Sequence, residues 1–169
     1  MSLRLGLPVT AVVLAADQAS KWWILDILRL PEIVNLPLVG LGSAGLDLTM
    51  VWNRGVTFGL LAGDNPWHHL VLAVLAIGIA AFLLRWMARA ETWPVAVALG
   101  AVVGGAVGNV IDRVRFGAVV DFIDVHVAGW HWYVFNIADA AIVCGVIVLV
   151  ADSVLRPAPK PQPDAPPGP

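Results

Sequence analysis

Four stretches of the chain are each apolar enough and long enough to cross a lipid bilayer. They run roughly from Leu5 to Leu25, from Trp67 to Leu84, from Pro94 to Ile111 and from Val134 to Leu155. A bilayer core about 30 Å thick requires about 20 apolar residues in a helix that rises about 1.5 Å per residue. Hydrophobic residues make up 59% of the chain and charged residues only 13%, so a soluble fold is excluded. The sequence predicts an all-α membrane protein with four transmembrane helices.

The segment 26–66, between the first two apolar stretches, has a different pattern. It contains many glycines and prolines, and apolar residues alternate with polar ones at 46–51. This pattern predicts a small β-rich segment on the outer surface rather than a fifth span. The Pro-dense end of the chain cannot form a helix or a core, so we expect disorder there. We therefore divide the chain into an integral-membrane domain (1–155) and a disordered cytoplasmic tail (156–169).

Charge gives the expected orientation and excludes one class of partner. The short connection 85–93 carries Arg85 and Arg89, and the positive-inside rule applied to this loop favours cytoplasmic N- and C-termini. The formal net charge of −2 argues against a nucleic-acid partner, because nucleic-acid binding favours a basic surface.

The first apolar stretch resembles a cleavable signal peptide only superficially. Asp17 and Lys21 lie four residues apart on one helical face, and the apolar character resumes after them at 22–25. We interpret this stretch as an uncleaved helix that contains an internal ion pair.

The third apolar stretch contains glycines at a spacing of four residues. Gly100, Gly104 and Gly108 form a stripe of small residues, which allows another helix to approach closely. The stripe leads directly into a polar end of the same stretch, where Asn109, Asp112 and Arg113 follow.

Asp112 and Arg113 at this polar end are interpreted separately. Asp112 is interpreted as a structural residue that pairs with a neighbouring arginine and fastens the helix end. Arg113 could extend to the membrane interface, or it could bind a lipid phosphate or a peptide carbonyl through its fork of donors. The sequence leaves these alternatives for Arg113 open.

Two acids, Asp121 and Asp139, lie in polar segments next to strongly apolar ones. A carboxylate near hydrocarbon depth is costly unless it has a partner or a function. Two neighbouring carboxyls share a proton, so one can activate water while the other polarises a peptide carbonyl, as in aspartic proteases. Asn136, three residues before Asp139, could hold a carboxylate or a substrate amide. Ordinary interfacial acids and a proton or ion relay remain the alternatives.

Two further polar segments are less specific. Asn53 and Gly55 begin the segment 53–61, where they could form a simple turn or expose hydrogen-bonding groups to an extended peptide. The four histidines are better interpreted as interfacial residues than as metal ligands. We therefore predict no metal site and no cofactor.

Taken together, these motifs resemble the lipoprotein signal peptidase family, also called signal peptidase II, across roughly residues 8–155. The matching segments are DQASK, NRGVTFG, GGAVGNVIDR continuing to VVDFID, and FNIADAA. In such a family member, Asp121 and Asp139 are the catalytic dyad of an intramembrane aspartyl endopeptidase. The polar residues that support substrate and dyad are Asp17, Lys21, Asn53, Gly55, Asn109, Arg113 and Asn136.

The resemblance also implies the biological setting. The expected activity is removal of signal peptides from diacylglyceryl-modified prolipoproteins, with the cut just before the lipidated cysteine. The expected location is the bacterial plasma membrane, with the active site near its outer face and phospholipids around the protein. A bundle of four spans could function as a monomer. Inhibition by the peptide antibiotic globomycin is implied as well. A small proton-coupled transporter and a non-catalytic membrane scaffold are the competing classes, and the chain shows no internal repeat of the kind transporters have.

Overall fold

The computed structural model describes residues 2–55 and 67–155. In this part of the chain, four long helices pack side by side, and a small antiparallel sheet lies at one end of them. A π-helical turn at Trp23–Ile27 continues the first helix. The helices are α1 (Ser2–Trp22), α2 (Leu30–Ile33), α3 (His68–Ala88), α4 (Trp93–Phe116) and α5 (Ile137–Leu155).

Three of the four predicted spans are found as helices that are long and apolar enough to cross a membrane. These are α3, α4 and α5, with 21, 24 and 19 residues. Helix α1 also has 21 residues, but Asp17, Gln18 and Lys21 lower its mean hydropathy. The last span begins at Ile137 and not at Val134 as predicted, because Asn136 caps the helix.

Helix α4 is the centre of the bundle, since α1, α3 and α5 all pack against it. The N-terminus of α1 lies beside the C-terminus of α3, where the Ser2 hydroxyl donates to the Ala88 carbonyl at 3.3 Å. The opposite end of the bundle therefore holds the C-termini of α1 and α4 and the N-termini of α3 and α5. The sheet and all the acids of interest are at this end.

The predicted glycine stripe is where α1 and α4 touch. A Cβ added at Gly100 would overlap the backbone of Gly6, and one at Gly108 would overlap the Asp17 carboxylate. On the neighbouring face of α4, a Cβ at Gly105 would overlap the Ala138 carbonyl of α5. Small residues thus let two helices approach α4 closely enough for polar side chains to meet across them.

Within the described residues the sheet has four strands, which lie side by side in chain order and are antiparallel throughout. The short strands predicted in segment 26–66 are present, although residues 56–66 of that segment lie outside the described part. Two further strands, at 119–127 and 130–131, correct the expectation that β-structure is limited to this segment. The strands are β1 (Asn35–Leu41), β2 (Ala44–Asn53), β3 (Val119–Val127) and β4 (Trp130–His131).

An apolar cluster attaches the sheet to the helices. Leu48, Val120 and Phe122 from the sheet pack on Ile24 of the π-helical turn and Leu30 of α2. Since side chains alternate between the two faces of a strand, burial of Val120 and Phe122 on one face directs Asp121 to the other. The packing of β3 therefore determines where the Asp121 carboxyl points.

Candidate active site

Asp121 lies in β3, completely buried, with an amide donor on each carboxyl oxygen. Asn136 Nδ2 donates to Asp121 Oδ1 at 2.7 Å, and Asn53 Nδ2 donates to Oδ2 at 2.9 Å. Asn53 reaches Asp121 because β2 and β3 pair with Val51 opposite Asp121. The carboxyl group is thus positioned by one residue from the neighbouring strand and one from the start of α5.

Asp139 lies in the first turn of α5 and is half-buried. Asn109 Nδ2, from α4, donates to Asp139 Oδ1 at 2.8 Å. The Asp139 backbone N–H donates to Asn136 Oδ1 at 2.9 Å, so Asn136 serves as the N-cap of α5. Asn136 therefore contacts both acids, one through its amide nitrogen and the other through its amide oxygen.

Two asparagine side chains connect the environments of the two acids. Asn136 Nδ2 also donates to Asn109 Oδ1 at 3.1 Å, and Lys21 Nζ donates to the same oxygen at 3.3 Å. Because an ammonium group can only donate, Lys21 fixes the Asn109 amide with its oxygen toward Lys21 and its nitrogen toward Asp139. The predicted residues Lys21, Asn109 and Asn136 therefore form one continuous network with the acids.

Behind this network is a buried ionic cluster. Lys21 Nζ lies 2.8 Å from Asp17 Oδ2 and 2.7 Å from Asp112 Oδ2. The predicted i,i+4 pair is therefore present, but the prediction that Asp112 pairs with an arginine is wrong. Gln18, which the sequence did not single out, donates to both carboxylates at 3.1 Å. The only feature of the sequence that could have indicated Gln18 was its position on α1 next to Asp17.

The cluster has two carboxylates and one ammonium group, so one negative charge is left over. Two backbone N–H groups offset it. The Ala138 N–H donates to Asp17 Oδ1 at 3.0 Å, and the Val120 N–H donates to Asp112 Oδ2 at 3.1 Å. Ala138 belongs to the first turn of α5, where the helix dipole favours a negative charge. The cluster thus connects α1 and α4 to the two segments that carry Asp121 and Asp139.

Arg113 and the turn after β2 form another wall of the site. The Gly55 N–H donates to Asn53 Oδ1 at 3.1 Å, which is the turn predicted at 53–55. Arg113 Nη2 donates to the Gly55 carbonyl at 3.1 Å and Nη1 to the Asn109 carbonyl at 3.4 Å. Both carbonyls belong to this chain, so binding of Arg113 to a lipid phosphate or to the carbonyl of another peptide stays a prediction. Residues 56–61 of the predicted segment 53–61 lie outside the described part of the chain.

The electrostatic environment favours the protonated form of Asp121. Burial raises the pKa of the Asp121 carboxyl from 3.8 to about 7, and the Asp139 carboxylate acts in the same direction. Hydrogen bonds from Asn53 and Asn136 favour the ionised form and oppose this shift. Near neutral pH, Asp121 can therefore both hold and release a proton.

A cavity of about 540 Å³ opens beside the two acids. Asp139 lines it, whereas Asp121 lies just beneath Asn53. Trp132 and Tyr133 were not predicted from the sequence, because they precede α5 in an irregular segment without a periodic pattern. The Tyr133 hydroxyl accepts a hydrogen bond from Asn53, and burial raises its pKa to about 12, so it stays neutral. The cavity is lined by Asn53, Asn109, Arg113, Val119, Trp132, Tyr133, Phe135, Asp139, Ala140, Ile142 and Val143.

This arrangement brings together all nine residues predicted for the site. The Asp139 carboxyl is exposed to a cavity, whereas the Asp121 carboxyl is buried and has a raised pKa. Both carboxyls accept hydrogen bonds from amide donors. Such a pair can divide proton transfer between a base and an acid. Within residues 2–55 and 67–155, no group of three His, Cys, Asp or Glu side chains is arranged to hold a metal ion.

Comparisons with known proteins agree on one family. A sequence profile described as signal peptidase (SPase) II matches residues 9–155. The lipoprotein signal peptidase of Methylorubrum extorquens (strain PA1) is 43% identical over 162 residues, covering 94% of this chain and 90% of that protein. The lipoprotein signal peptidase of Methylobacterium sp. (strain 4-46) is 45% identical over 152 residues, covering 90% of each.

A solved structure supports the same relationship at the level of the fold. It is described as a bacterial membrane enzyme determined by the in meso method, and it matches with a TM-score of 0.73 and 26% identity. The match covers 93% of this chain and 94% of that one. From the profile, the curated relatives and the shared fold together, we conclude that the chain belongs to the signal peptidase II family, a family of aspartic peptidases.

Proposed function

We propose that this chain removes the signal peptides of diacylglyceryl-modified prolipoproteins by cutting just before the lipidated cysteine, with Asp121 and Asp139 as its catalytic dyad. The observation that carries this proposal is the connection of the two acids through Asn136 beside a cavity that α4 and α5 help to line. The family and the activity named for its relatives supply the reaction class.

The proposed mechanism divides the chemistry between the acids. Asp139 lines the cavity and, as a carboxylate, takes a proton from water, which attacks the scissile peptide carbonyl. Asp121, protonated below about pH 7, donates to the developing oxyanion. The proton taken up by Asp139 then passes to the leaving amine, and the peptide C–N bond breaks. Substrate entry has to displace Asn53 from above Asp121, since Asp121 is completely buried at rest.

The supporting residues have separate proposed roles. Asn109 and Asn136 orient the acids, and Asn53 covers Asp121 until the substrate arrives. Arg113 positions the Gly55 carbonyl and, next to it, the substrate backbone. Asp17 and Lys21 act at a distance, because they hold α1 against α4 and orient the Asn109 amide.

We propose that α1 is the fourth span. Its polar residues Asp17 and Lys21 are almost completely buried against α4, so they do not face lipid, and its length equals that of α3. In this arrangement both termini are cytoplasmic, the sheet lies on the outer face of the plasma membrane, and the dyad is near that face. Residues 1–155 form the membrane domain, and 156–169 are a cytoplasmic tail without catalytic function.

The proposed partners follow from this placement. The substrate's signal helix lies against the bundle while its diacylglyceryl chains remain in the lipid, so lipid attachment contributes local concentration as well as specificity. Globomycin, the inhibitor that the family resemblance implies, would compete for the dyad. We propose that the protein functions as a monomer. The proposed chemistry uses no cofactor and no nucleic acid.

The test uses the purified full chain in lipid nanodiscs with two forms of one prolipoprotein. One form carries the diacylglyceryl thioether on its cysteine, and the other carries the unmodified thiol. We expect cleavage only of the lipidated form, at the bond before the cysteine, and loss of cleavage with globomycin. Equal cleavage of both forms would contradict the proposed substrate class. A folded protein that cleaves neither form would contradict the peptidase itself, and ion flux across vesicles would then test the transporter alternative.

A further inference from the structure

A second cavity, of about 310 Å³, lies between α1, the π-helical turn, β2 and the C-terminus of α4. It shares no lining residue with the cavity beside the dyad. The proposed peptidase mechanism places no substrate atom in it, although Lys21 at its base also orients the Asn109 amide. Its lining residues are Gln18, Lys21, Trp22, Leu25, Asp26, Pro31, Trp52, Asp112, Arg115 and Phe116.

This cavity lies at the level where two of the long helices end. Phe116 is the last residue of the apolar helix α4, and Trp22 is the last residue of α1. The side chains of Trp22 and Trp52 are 57% and 43% exposed, and indole rings favour the level of the lipid headgroups. Trp52 packs edge-to-face on Phe116 with ring centroids 5.7 Å apart, which closes one wall with apolar surface. A lipid that enters this cavity from the membrane would therefore place its headgroup in it.

The charges of the cavity are of two kinds. Lys21 and Asp112 lie 2.7 Å apart at its buried base and belong to the ionic cluster with Asp17, whose second negative charge is offset by backbone N–H groups. Asp26 and Arg115 are both exposed, and within the described residues neither forms an ion pair. The Arg115 guanidinium lies 4.8 Å from the centre of the Phe116 ring, a cation–π contact that holds it near the cavity. One anion and one cation are thus available to a ligand.

This charge pattern distinguishes between headgroups. A guanidinium binds phosphate through parallel N–H donors, and a carboxylate accepts strong hydrogen bonds from an ammonium group. An anionic headgroup would satisfy Arg115 but would bring no positive charge to Asp26. A quaternary ammonium has no N–H to donate. A headgroup with both a phosphate and a primary ammonium satisfies both residues.

We propose that this cavity binds a phospholipid with an ethanolamine headgroup, with the phosphate on Arg115, the ammonium on Asp26 and the acyl chains leaving past Trp22. The site is distinct from the dyad and does not depend on the peptidase activity. A lipid bound there contacts α1 and α4 at once, so it stabilises their association on the side away from the substrate.

The experiment measures lipid binding to the full chain in the absence of substrate. Delipidated protein in detergent is titrated with phosphatidylethanolamine, phosphatidylcholine or phosphatidylglycerol, and bound lipid is counted by native mass spectrometry. We expect phosphatidylethanolamine to bind about fivefold to tenfold more tightly than the other two, as one charge-assisted hydrogen bond predicts. Equal affinity for the three lipids would overturn the proposal, as would a preference for phosphatidylglycerol.

Two substitutions separate the two contacts. Arg115→Gln should weaken binding of all three lipids, whereas Asp26→Asn should abolish only the preference for ethanolamine over choline and glycerol. Arg4→Gln and Glu32→Gln, which change exposed charges outside the cavity, serve as matched controls and should bind like the wild type. Thermal unfolding in detergent verifies that each variant is folded. Unchanged lipid preference in folded Asp26→Asn would overturn the assignment of the ammonium site.

Discussion

Asn136 Nδ2 donates a hydrogen bond of 2.7 Å to Asp121 Oδ1, and this contact joins the start of α5 to the middle of β3. The same side chain accepts the N–H of Asp139 at 2.9 Å. One amide thus determines how the two acids are placed relative to each other. Neither acid is positioned by its own helix or strand alone, because each receives a donor from a different segment.

Replacing either acid by asparagine should abolish cleavage and leave the fold intact. Asp121→Asn and Asp139→Asn preserve side-chain volume but remove the carboxyl that transfers the proton, which typically costs about 10²- to 10⁴-fold in rate. The measurement is turnover of diacylglyceryl-prolipoprotein by purified variants, together with thermal unfolding in detergent.

Asp124→Asn is the matched control for these variants. Asp124 is also a buried acid of β3, but it accepts from Thr49 at 2.9 Å and lies outside the dyad cavity. This variant should retain most of the activity. Turnover close to wild type in Asp121→Asn or Asp139→Asn would remove that acid from the mechanism.

The rate of cleavage should decrease as pH rises through about 7. The raised pKa of Asp121 means that its proton, which the mechanism needs, is present below that pH and lost above it. Asn53 favours the ionised form by donating to Asp121. Asn53→Ala should therefore raise the pKa further and move the alkaline limb of the kcat profile to higher pH.

Asn35→Ala is the control for the pH profile. Asn35 donates to Thr49 in the same sheet at 2.8 Å and does not contact Asp121, so the alkaline limb should stay in place. A limb that moves to lower pH in Asn53→Ala would show that its amide does not stabilise the ionised carboxyl.

Removing the buried cation of the ionic cluster should destabilise the protein strongly. Lys21→Met leaves Asp17 and Asp112 facing each other without a counter-charge, and breaking a buried pair costs about 3–5 kcal/mol in the free energy of unfolding. Unfolding by heat or denaturant in detergent measures the loss. Adding Asp112→Asn should restore part of it, because this removes one of the two charges and keeps an oxygen for the Val120 N–H. The exposed Arg4→Met serves as control, and equal stability of Lys21→Met and Arg4→Met would contradict the cluster's structural role.

Enlarging Gly108 should force α1 away from α4. The Cβ of Gly108→Ala would overlap the Asp17 carboxylate, and overpacking of this kind costs about 1–3 kcal/mol. Activity should fall as well, since Asp17 receives the Ala138 N–H at the start of the helix that carries Asp139. Gly78→Ala, where nothing beyond the adjacent backbone of α3 lies within 4 Å of the added Cβ, should be neutral or slightly stabilising in α3. The same stability for both variants would show that α1 and α4 adjust freely at Gly108.

The sequence by itself determined those features that depend on near neighbours along the chain. Apolar length is a local property, so α3, α4 and α5 were predicted within a few residues. Helical spacing is local too, so the Asp17–Lys21 pair was predicted correctly. The same holds for the close approach of another helix along Gly100 and Gly108. The nine residues of the candidate site were identified through a family resemblance, because the residues alone left the roles of Asp121 and Asp139 open.

Only the tertiary structure decided which polar groups meet. Asp112 pairs with Lys21, 91 positions earlier by number and on a different helix, and no local spacing indicates that contact. Strand β3 is stable only because β2 pairs with it across more than 60 residues of chain, so its β-structure was missed. The burial of Asp121 beneath Asn53, in contrast to the exposure of Asp139 to the cavity, results from that pairing. Long-range contacts depend on strand register and helix packing, which are properties of the folded chain as a whole.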